Sequence, residues 1–377
     1  MKLGTIQTPA LILDKARMEA NIQRLRTILK DKPVRLRPHL KTCKSIEVAK
    51  RLTENSDSPI TVSTLAEAEY FLDGGYTDIL YAVSITPQKL PRVKALQIKG
   101  ANITLLLDNL ETALNVARIG EELETTFPCL IEIDCDGKRA GLDAEDTDLI
   151  PLAQCLHEKA GSSLAGVMTH AGGSYYCKSI SEIEAMAEQE RACITRAASR
   201  IQDHNLPCPV VSMGSTPTVT FAHNFEGITE VRAGVYVFQD MVMEALGVCI
   251  LSDIAISVLA TVISHKKDQN RILIDAGGLA LSSDPGKKNT LGHSHFGQVC
   301  SEGTCTPYEN LWIDSTNQEH GLISLNRTSH SFEDFPIGSR IRILPNHACM
   351  TAGAYDGYHV LDGGNTVTAY WERCNRW

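Results

Sequence analysis

Eight short apolar runs, most of them separated by a helical pattern, each end in or directly before a polar residue. They are Val34–Leu40, Pro59–Thr64, Asp78–Ile85, Asn102–Asp108, Phe127–Asp134, Leu164–His170, Pro209–Ser215 and Ile228–Tyr236. Strands alternating with helices at this spacing imply parallel βα units. Eight such units close a (β/α)₈ barrel, whose reactive groups gather at the C-terminal ends of the strands. Those ends carry Lys41, Thr64, Asp108, Arg139, His170, Gly214-Ser215-Thr216 and Tyr236.

A further short strand, Thr8–Asp14, precedes the barrel. Helical patterns occupy Lys15–Lys30, Ile46–Glu54, Ala66–Leu72, Gln88–Ile98, Leu110–Leu123, Ala144–Lys159 and Ser181–Gln202. In the last of these, Ile183, Met186, Ala187 and Ile194 form one stripe at core-helix spacing. The connection Pro217–Gly227 reads as a loop. Beyond Ala245–Asp253 long helices stop, and period-two runs with turn pairs such as Gly277-Gly278 and Gly363-Gly364 predict a smaller antiparallel β domain. Ser282–Tyr308 reads as a long loop. The expected class is α/β: a TIM-type barrel over residues 14–245, a β domain over 246–377, and an N-terminal strand, 1–13, associated with that domain.

A formal charge of −9 with no basic block argues against nucleic acid or an anionic membrane as a partner. No window reaches the roughly 18 apolar residues of a membrane span, and the opening residues do not read as a signal peptide. The twelve cysteines are scattered without a CxxC, so reduced, mostly buried thiols and a cytoplasmic setting are expected.

Arg35-Leu-Arg-Pro-His-Leu-Lys41-Thr-Cys-Lys44 concentrates positive charge at a strand end. Such surroundings lower an amine's pKa and favour a neutral, nucleophilic fraction. Gly214-Ser215-Thr216 offers close backbone approach and hydroxyl donors where this barrel often binds phosphate. A lysine and such a turn together suggest a phosphorylated aldehyde, with pyridoxal 5′-phosphate the leading candidate. Taken singly, a solvated loop lysine and a plain hydrogen-bonded turn explain the same residues. Late in the chain, His347 and Cys349 stand two apart in a segment read as extended, which would project both to one side. An imidazole and a thiolate so placed suit a zinc ion with open positions; one polar and one buried side chain on a strand would look the same. His293 and His295 are a rival pair, read as loop histidines.

Five segments then appear in order: Pro38-His-Leu-Lys41-Thr, Asp134-Cys-Asp-Gly-Lys-Arg139-Ala-Gly141, His170-Ala-Gly-Gly-Ser-Tyr175, Gly214-Ser-Thr-Pro-Thr218 and Arg232-Ala-Gly-Val-Tyr236. Together they resemble the fold-type III pyridoxal phosphate enzymes, in the branch of D-serine dehydratase and D-threonine aldolase, over nearly the whole chain. The resemblance implies an alanine racemase-like barrel, with Lys41 as the Schiff-base lysine and Arg139 near the cofactor's phenolic oxygen. It places His170 by the ring, Tyr175 towards the pyridine nitrogen, and Gly214, Ser215, Thr216, Gly234 and Tyr236 around the phosphate. It makes His347 and Cys349 ligands of zinc, or of manganese, and implies a homodimer. Cys43 departs from the family's lysine motif, where histidine is common. Cys349 tilts the reading towards dehydratases, because aldolases more often carry aspartate there.

The expected activity is therefore a lyase acting on small D-3-hydroxy amino acids, of the D-serine dehydratase type, giving an oxo acid and ammonia. Retro-aldol cleavage of D-threonine or 3-hydroxyaspartate is the alternative. A non-catalytic carrier of the cofactor is the third reading.

Overall fold

After β1 (Ala10–Asp14), the eight apolar runs become parallel strands: β2 (Arg35–Leu36), β3 (Ile60–Val62), β4 (Asp78–Ser84), β5 (Asn102–Leu107), β6 (Phe127–Ile133), β7 (Ser162–Thr169), β8 (Val210–Met213) and β9 (Glu230–Val231). The computed structural model describes residues 2–286 and 294–377. Hydrogen bonding runs β2-β9-β8-β7-β6-β5-β4-β3. The chain beyond β2 closes the ring: His39 bridges Thr61, Leu40 N–H donates to Thr61 O at 2.8 Å, and Thr61 N–H donates to Pro38 O at 2.9 Å. The expected eight-stranded barrel is present. Strands such as β6 are buried along most of their length, because a parallel strand enclosed by helices meets water on neither face.

The intervening segments are helices α1 (Lys15–Leu29), α2 (Ile46–Leu52), α3 (Leu65–Asp73), α4 (Leu90–Ile98), α5 (Leu110–Glu122), α6 (Leu149–Glu158), α7 (Ile180–Asp203) and α8 (Thr216–Phe221). Thr64, Asn109 and Ser179 cap α3, α5 and α7 by accepting the N–H of Glu67, Thr112 and Glu182, each cap worth about 1 kcal/mol. The reading of Pro217–Gly227 as loop is corrected by α8. Ser215 and Thr218 form a reciprocal capping box there, and Pro217 falls in the first turn, where its missing N–H costs nothing.

Inside the barrel, strand register puts Leu106, Leu130, Met168, Ser212 and Glu230 on one face. Leu80, Leu106, Leu130 and Met168 make its apolar half. The other half is a chain of charges. Arg37 Nε meets Glu230 Oε2 at 2.7 Å, and Arg37 Nη1 meets Asp78 Oδ1 at 2.7 Å. Ser212 Oγ donates to Glu230 Oε1 at 2.9 Å, and Arg232 Nη1 donates to Ser212 Oγ at 2.6 Å. Buried ions of this kind persist only when each is paired and hydrogen-bonded.

The chain divides into two units, one of residues 25–234 with the last two residues, the other of residues 1–24 with 235–375. The second holds β10 (Ile256–Lys266), β11 (Arg271–Ile274), β12 (Gln298–Ser301), β13 (Pro307–Trp312), β14 (Ser315–Thr316), β15 (Gly321–Ser324), β16 (Arg340–Leu344), β17 (Gly357–Leu361) and β18 (Val367–Glu372). Its main path is β13-β12-β16-β10-β1-β17-β18. Pairing is antiparallel except between β1 and β17. β1 therefore lies inside this sheet, with Ile12 opposite both Ser257 and His359. Its side chains pack with Leu3, Ile6, Leu259 and Leu361.

The expected loop Ser282–Tyr308 is corrected in part, since β12 and the start of β13 lie within it. β12 has only Val299 and Cys300 as apolar residues, too few for alternation to register. His293 lies outside the described residues. His295 is buried and stacks on Trp312 with ring centroids 5.9 Å apart. All the cysteines but Cys193, Cys349 and Cys374 are buried. Among the described residues no helix is long and apolar enough to cross a membrane.

Candidate active site

Lys41 follows the stretch that closes the barrel, so its position is fixed by backbone pairing on both sides. Its N–H lies 3.4 Å from His39 Nδ1. That nitrogen is therefore an acceptor, and the ring also hydrogen-bonds to the Thr61 backbone. Burial, then the charges of Lys41 and Arg232, hold His39 well below the ordinary imidazole range. His39 stays neutral.

His170 follows β7, and its Nδ1 lies 2.9 Å from Gly214 O. A carbonyl only accepts, so Nδ1 carries the proton and Nε2 is bare. Burial first, then Lys41 and Arg139, push this imidazole down to about 3. Lys41 and Arg139 thus both lie within electrostatic reach of His170 at the C-terminal mouth. Tyr175, in the 3-10 turn Gly172–Tyr176, places its ring centroid 6.2 Å from that of His170.

Gly214 has φ +132°, and an added Cβ would lie 2.4 Å from Arg232 O. Only glycine fits both the conformation and the close approach. Ser215 Oγ lies 2.9 Å from Ser174 Oγ and 3.0 Å from Thr218 Oγ1. Thr216 opens α8 and is buried. A Cβ on Gly234 would lie 3.0 Å from His39 O and from Thr42 Oγ1, so this glycine lets strand β9's continuation lie against the Lys41 turn. Arg139 is exposed, with Nη2 3.8 Å from Glu132 Oε1. Burial raises the Glu132 carboxyl, and Arg139 opposes that rise.

Several groups here escaped the sequence reading. His39 stands two residues before Lys41, where the sequence offers no signal of its role. Arg232, wholly buried, also donates to Thr169 O; burial pulls it down to about 10. Glu190, on α7, accepts the N–H groups of Ala171 and Gly214 at 2.9 and 3.0 Å.

In the other unit, Tyr236 is buried in the turn Val235–Val237. His347 and Cys349 do not lie on an extended strand, which corrects that geometry: His347 is the N-cap of the short helix Ala348–Ala352, and Cys349 is within it. The helix nevertheless brings them into hydrogen-bond contact. His347 Nδ1 also lies 2.7 Å from Asp284 Oδ2. Burial disfavours the His347 cation, but Cys349, Asp240 and Asp284 outweigh it and raise this imidazole to about 9. Asp240 accepts the Ala348 N–H at 3.0 Å and the Met243 N–H at 2.9 Å, which anchors this helix. Among the described residues no group of three or more histidine, cysteine, aspartate or glutamate side chains is placed to hold a metal ion.

The alanine racemase N-terminal domain model matches residues 13–241, and a putative serine dehydratase domain model matches residues 255–361. The chain belongs to the fold-type III pyridoxal phosphate family. Within it, the chain is similar to D-threo-3-hydroxyaspartate dehydratase of Delftia sp. (strain HT23), at 44% identity over 382 residues, covering 100% of this chain and 99% of the relative. D-serine dehydratase of Dictyostelium discoideum is 31% identical over 395 residues, covering 100% and 98%. A solved structure of D-threo-3-hydroxyaspartate dehydratase, a cysteine-to-alanine mutant in the metal-free form, matches with TM-score 0.95 at 42% identity, covering 100% of both chains.

Proposed function

We propose that this chain is a pyridoxal phosphate-dependent dehydratase of D-3-hydroxy amino acids, releasing ammonia and a 2-oxo acid. In this reading residues 14–245 carry the cofactor and residues 246–377 the metal. The observation that carries it is the grouping of Lys41 with an uncharged His170 whose proton is committed to Gly214 O. That donor set suits a phosphorylated pyridine aldehyde: an amine, a neutral ring, a guanidinium at Arg139, and the hydroxyls of Ser215 and Thr216. Lys41 would hold it covalently, Arg139 its phenolic oxygen, Tyr175 its ring nitrogen, and Gly214, Ser215, Thr216, Gly234 and Tyr236 its phosphate. When bound, this cofactor supplies an electron sink for charge developing at the substrate's α-carbon.

The protein's own groups then divide the work. Lys41 Nζ takes the α-proton as general base. His170, neutral at every pH of interest, packs by the ring without adding charge. Arg139, solvent-exposed, balances anionic oxygen.

The donor chemistry of His347 and Cys349 fits zinc better than manganese, since thiolate and imidazole are borderline-soft ligands. Asp284 on Nδ1 leaves Nε2 for the ion and orients the ring. A zinc ion there would supply Lewis acidity towards the leaving hydroxyl. The relative solved as a metal-free cysteine-to-alanine mutant supports this assignment. The same reading has the enzyme acting as a cytoplasmic homodimer.

Incubation with D-threo-3-hydroxyaspartate, D-serine and D-threonine, with product analysis, tests the proposal. Ammonia with a 2-oxo acid is expected. Glycine with an aldehyde would mean retro-aldol cleavage instead, and cofactor binding without turnover of any of the three would mean a carrier.

A further inference from the structure

α7 buries Ile183, Ala187, Glu190, Ile194, Ala197, Ala198 and Ile201, so one member of its core stripe is a carboxylate. Glu190 is 0% exposed. Alanine or leucine would pack at such a position without the cost of desolvating a charge. Its oxygen Oε1 accepts two backbone N–H groups, Ala171 N at 2.9 Å and Gly214 N at 3.0 Å. These donors leave the tips of β7 and β8. One belongs to the peptide immediately after His170, the other to the peptide entering Gly214.

Gly214 is a swivel, with φ +132° and no side chain to restrain it. Glu190 holds the peptide before its Cα, and His170 Nδ1–H holds the carbonyl after it. The carbonyl is what commits His170 to the Nδ1–H tautomer. The hydroxyl turn continues from the same point, where Ser215 N–H donates to Thr218 Oγ1 at 3.0 Å and Ser215 Oγ meets Ser174 Oγ at 2.9 Å. Burial raises the Glu190 carboxyl, and the Thr218 hydroxyl, the Ala171 and Gly214 amides and, least of these, Arg232 oppose that rise.

We propose that Glu190 is a positioning residue: by clamping the Ala171 and Gly214 amides on one oxygen, it sets the tautomer of His170 and the presentation of Gly214-Ser215-Thr216. The inference rests on the cofactor reading only for what that turn binds. Glu190 touches no reacting atom; it acts through the two loops.

The test compares the native protein with Glu190→Ala, Glu190→Asp and Glu190→Gln. Glutamine keeps an acceptor oxygen at the same reach without charge, whereas aspartate withdraws it by one methylene. The pyridoxal phosphate dissociation constant is expected to rise roughly 10- to 100-fold in the alanine and aspartate variants, and to stay within about threefold in the glutamine variant. Nitrogen-15 spectra of labelled histidines, with His170 assigned by its absence from His170→Asn, are expected to keep the Nδ1–H form in native and glutamine proteins. The other two should show mixed tautomers. If alanine does not fold, aspartate decides the matter by the same two readouts. Native affinity and an unchanged tautomer in the aspartate variant would overturn the proposal, as would a glutamine variant that behaves like alanine. If the native protein binds no pyridoxal phosphate, the cofactor reading falls, and the tautomer comparison alone decides the role of Glu190.

Discussion

His170 contributes an acid-sensitive part of the protein's stability that can be isolated. In the fold its pKa lies at about 3, against an ordinary value of 6.5, because burial and the nearby Lys41 and Arg139 oppose the cation. Below pH 6.5 the unfolded chain binds a proton at this ring and the folded chain refuses it. Stability is therefore lost as pH falls from 6.5 towards 3. Each pH unit in that window is worth about 1.4 kcal/mol, so the loss between pH 6.5 and 4.5 is on the order of 3 kcal/mol. His170→Asn supplies the control, since the asparagine amide keeps a donor for Gly214 O and has no proton to titrate. Urea unfolding of both proteins at pH 7 and pH 4.5, in matched buffer without added cofactor, gives the double difference. Carboxylates titrate in both and cancel. The native protein's stability relative to the variant is expected to drop by on the order of 3 kcal/mol. Parallel losses, agreeing within about 0.5 kcal/mol, would mean that His170 titrates normally in the fold and that its neutrality is not imposed by its surroundings.

Three other substitutions probe separate parts. Lys41→Ala should leave the protein folded but remove the residue tagged when a pyridoxal phosphate-loaded sample is reduced with borohydride, as peptide mass mapping reads. Cys349→Ala should lower bound zinc, measured by metal analysis, while the cofactor's absorbance persists; unchanged zinc content would remove Cys349 from the ligand set. Gly166→Ala tests the barrel alone. Gly166 has φ +135°, and a Cβ would fall 2.0 Å from Val210 O, so a loss of roughly 3–5 kcal/mol and a melting temperature lower by about 6–20 °C are expected by circular dichroism.

The barrel was legible because parallel strands enclosed by helices read as short, mostly apolar runs, and the polar residues at or just beyond their ends mark the mouth. Lys41, His170 and Gly214 could be picked out on that ground. Short elements were not legible. β12 is too brief for alternation, and α8 depends on a side-chain box between Ser215 and Thr218 that a proline-rich stretch hides. The His347–Cys349 segment read as extended because a two-residue spacing fits a strand. In fact a helix begins at Ala348, anchored by Asp240 from a distant loop. Glu190 did leave a signal, since an acidic residue interrupts the stripe between Ala187 and Ile194. The amides it receives belong to backbone, which carries no sequence signature. Asp284 left none at all, being one polar residue in a polar loop.

The place of β1 within the second sheet has a consequence for how the chain is made. Its antiparallel partner β10 begins at Ile256 and its parallel partner β17 at Gly357, so roughly 240 residues separate Asp14 from the nearer of them. At about 5–20 residues per second on the ribosome, Ala-Leu-Ile-Leu waits on the order of 12–50 s before that partner exists. Nascent chains halted before Ile256 would carry this greasy segment with nothing to zip onto. Stalled translation, more than heating of the finished molecule, is thus where aggregation should begin.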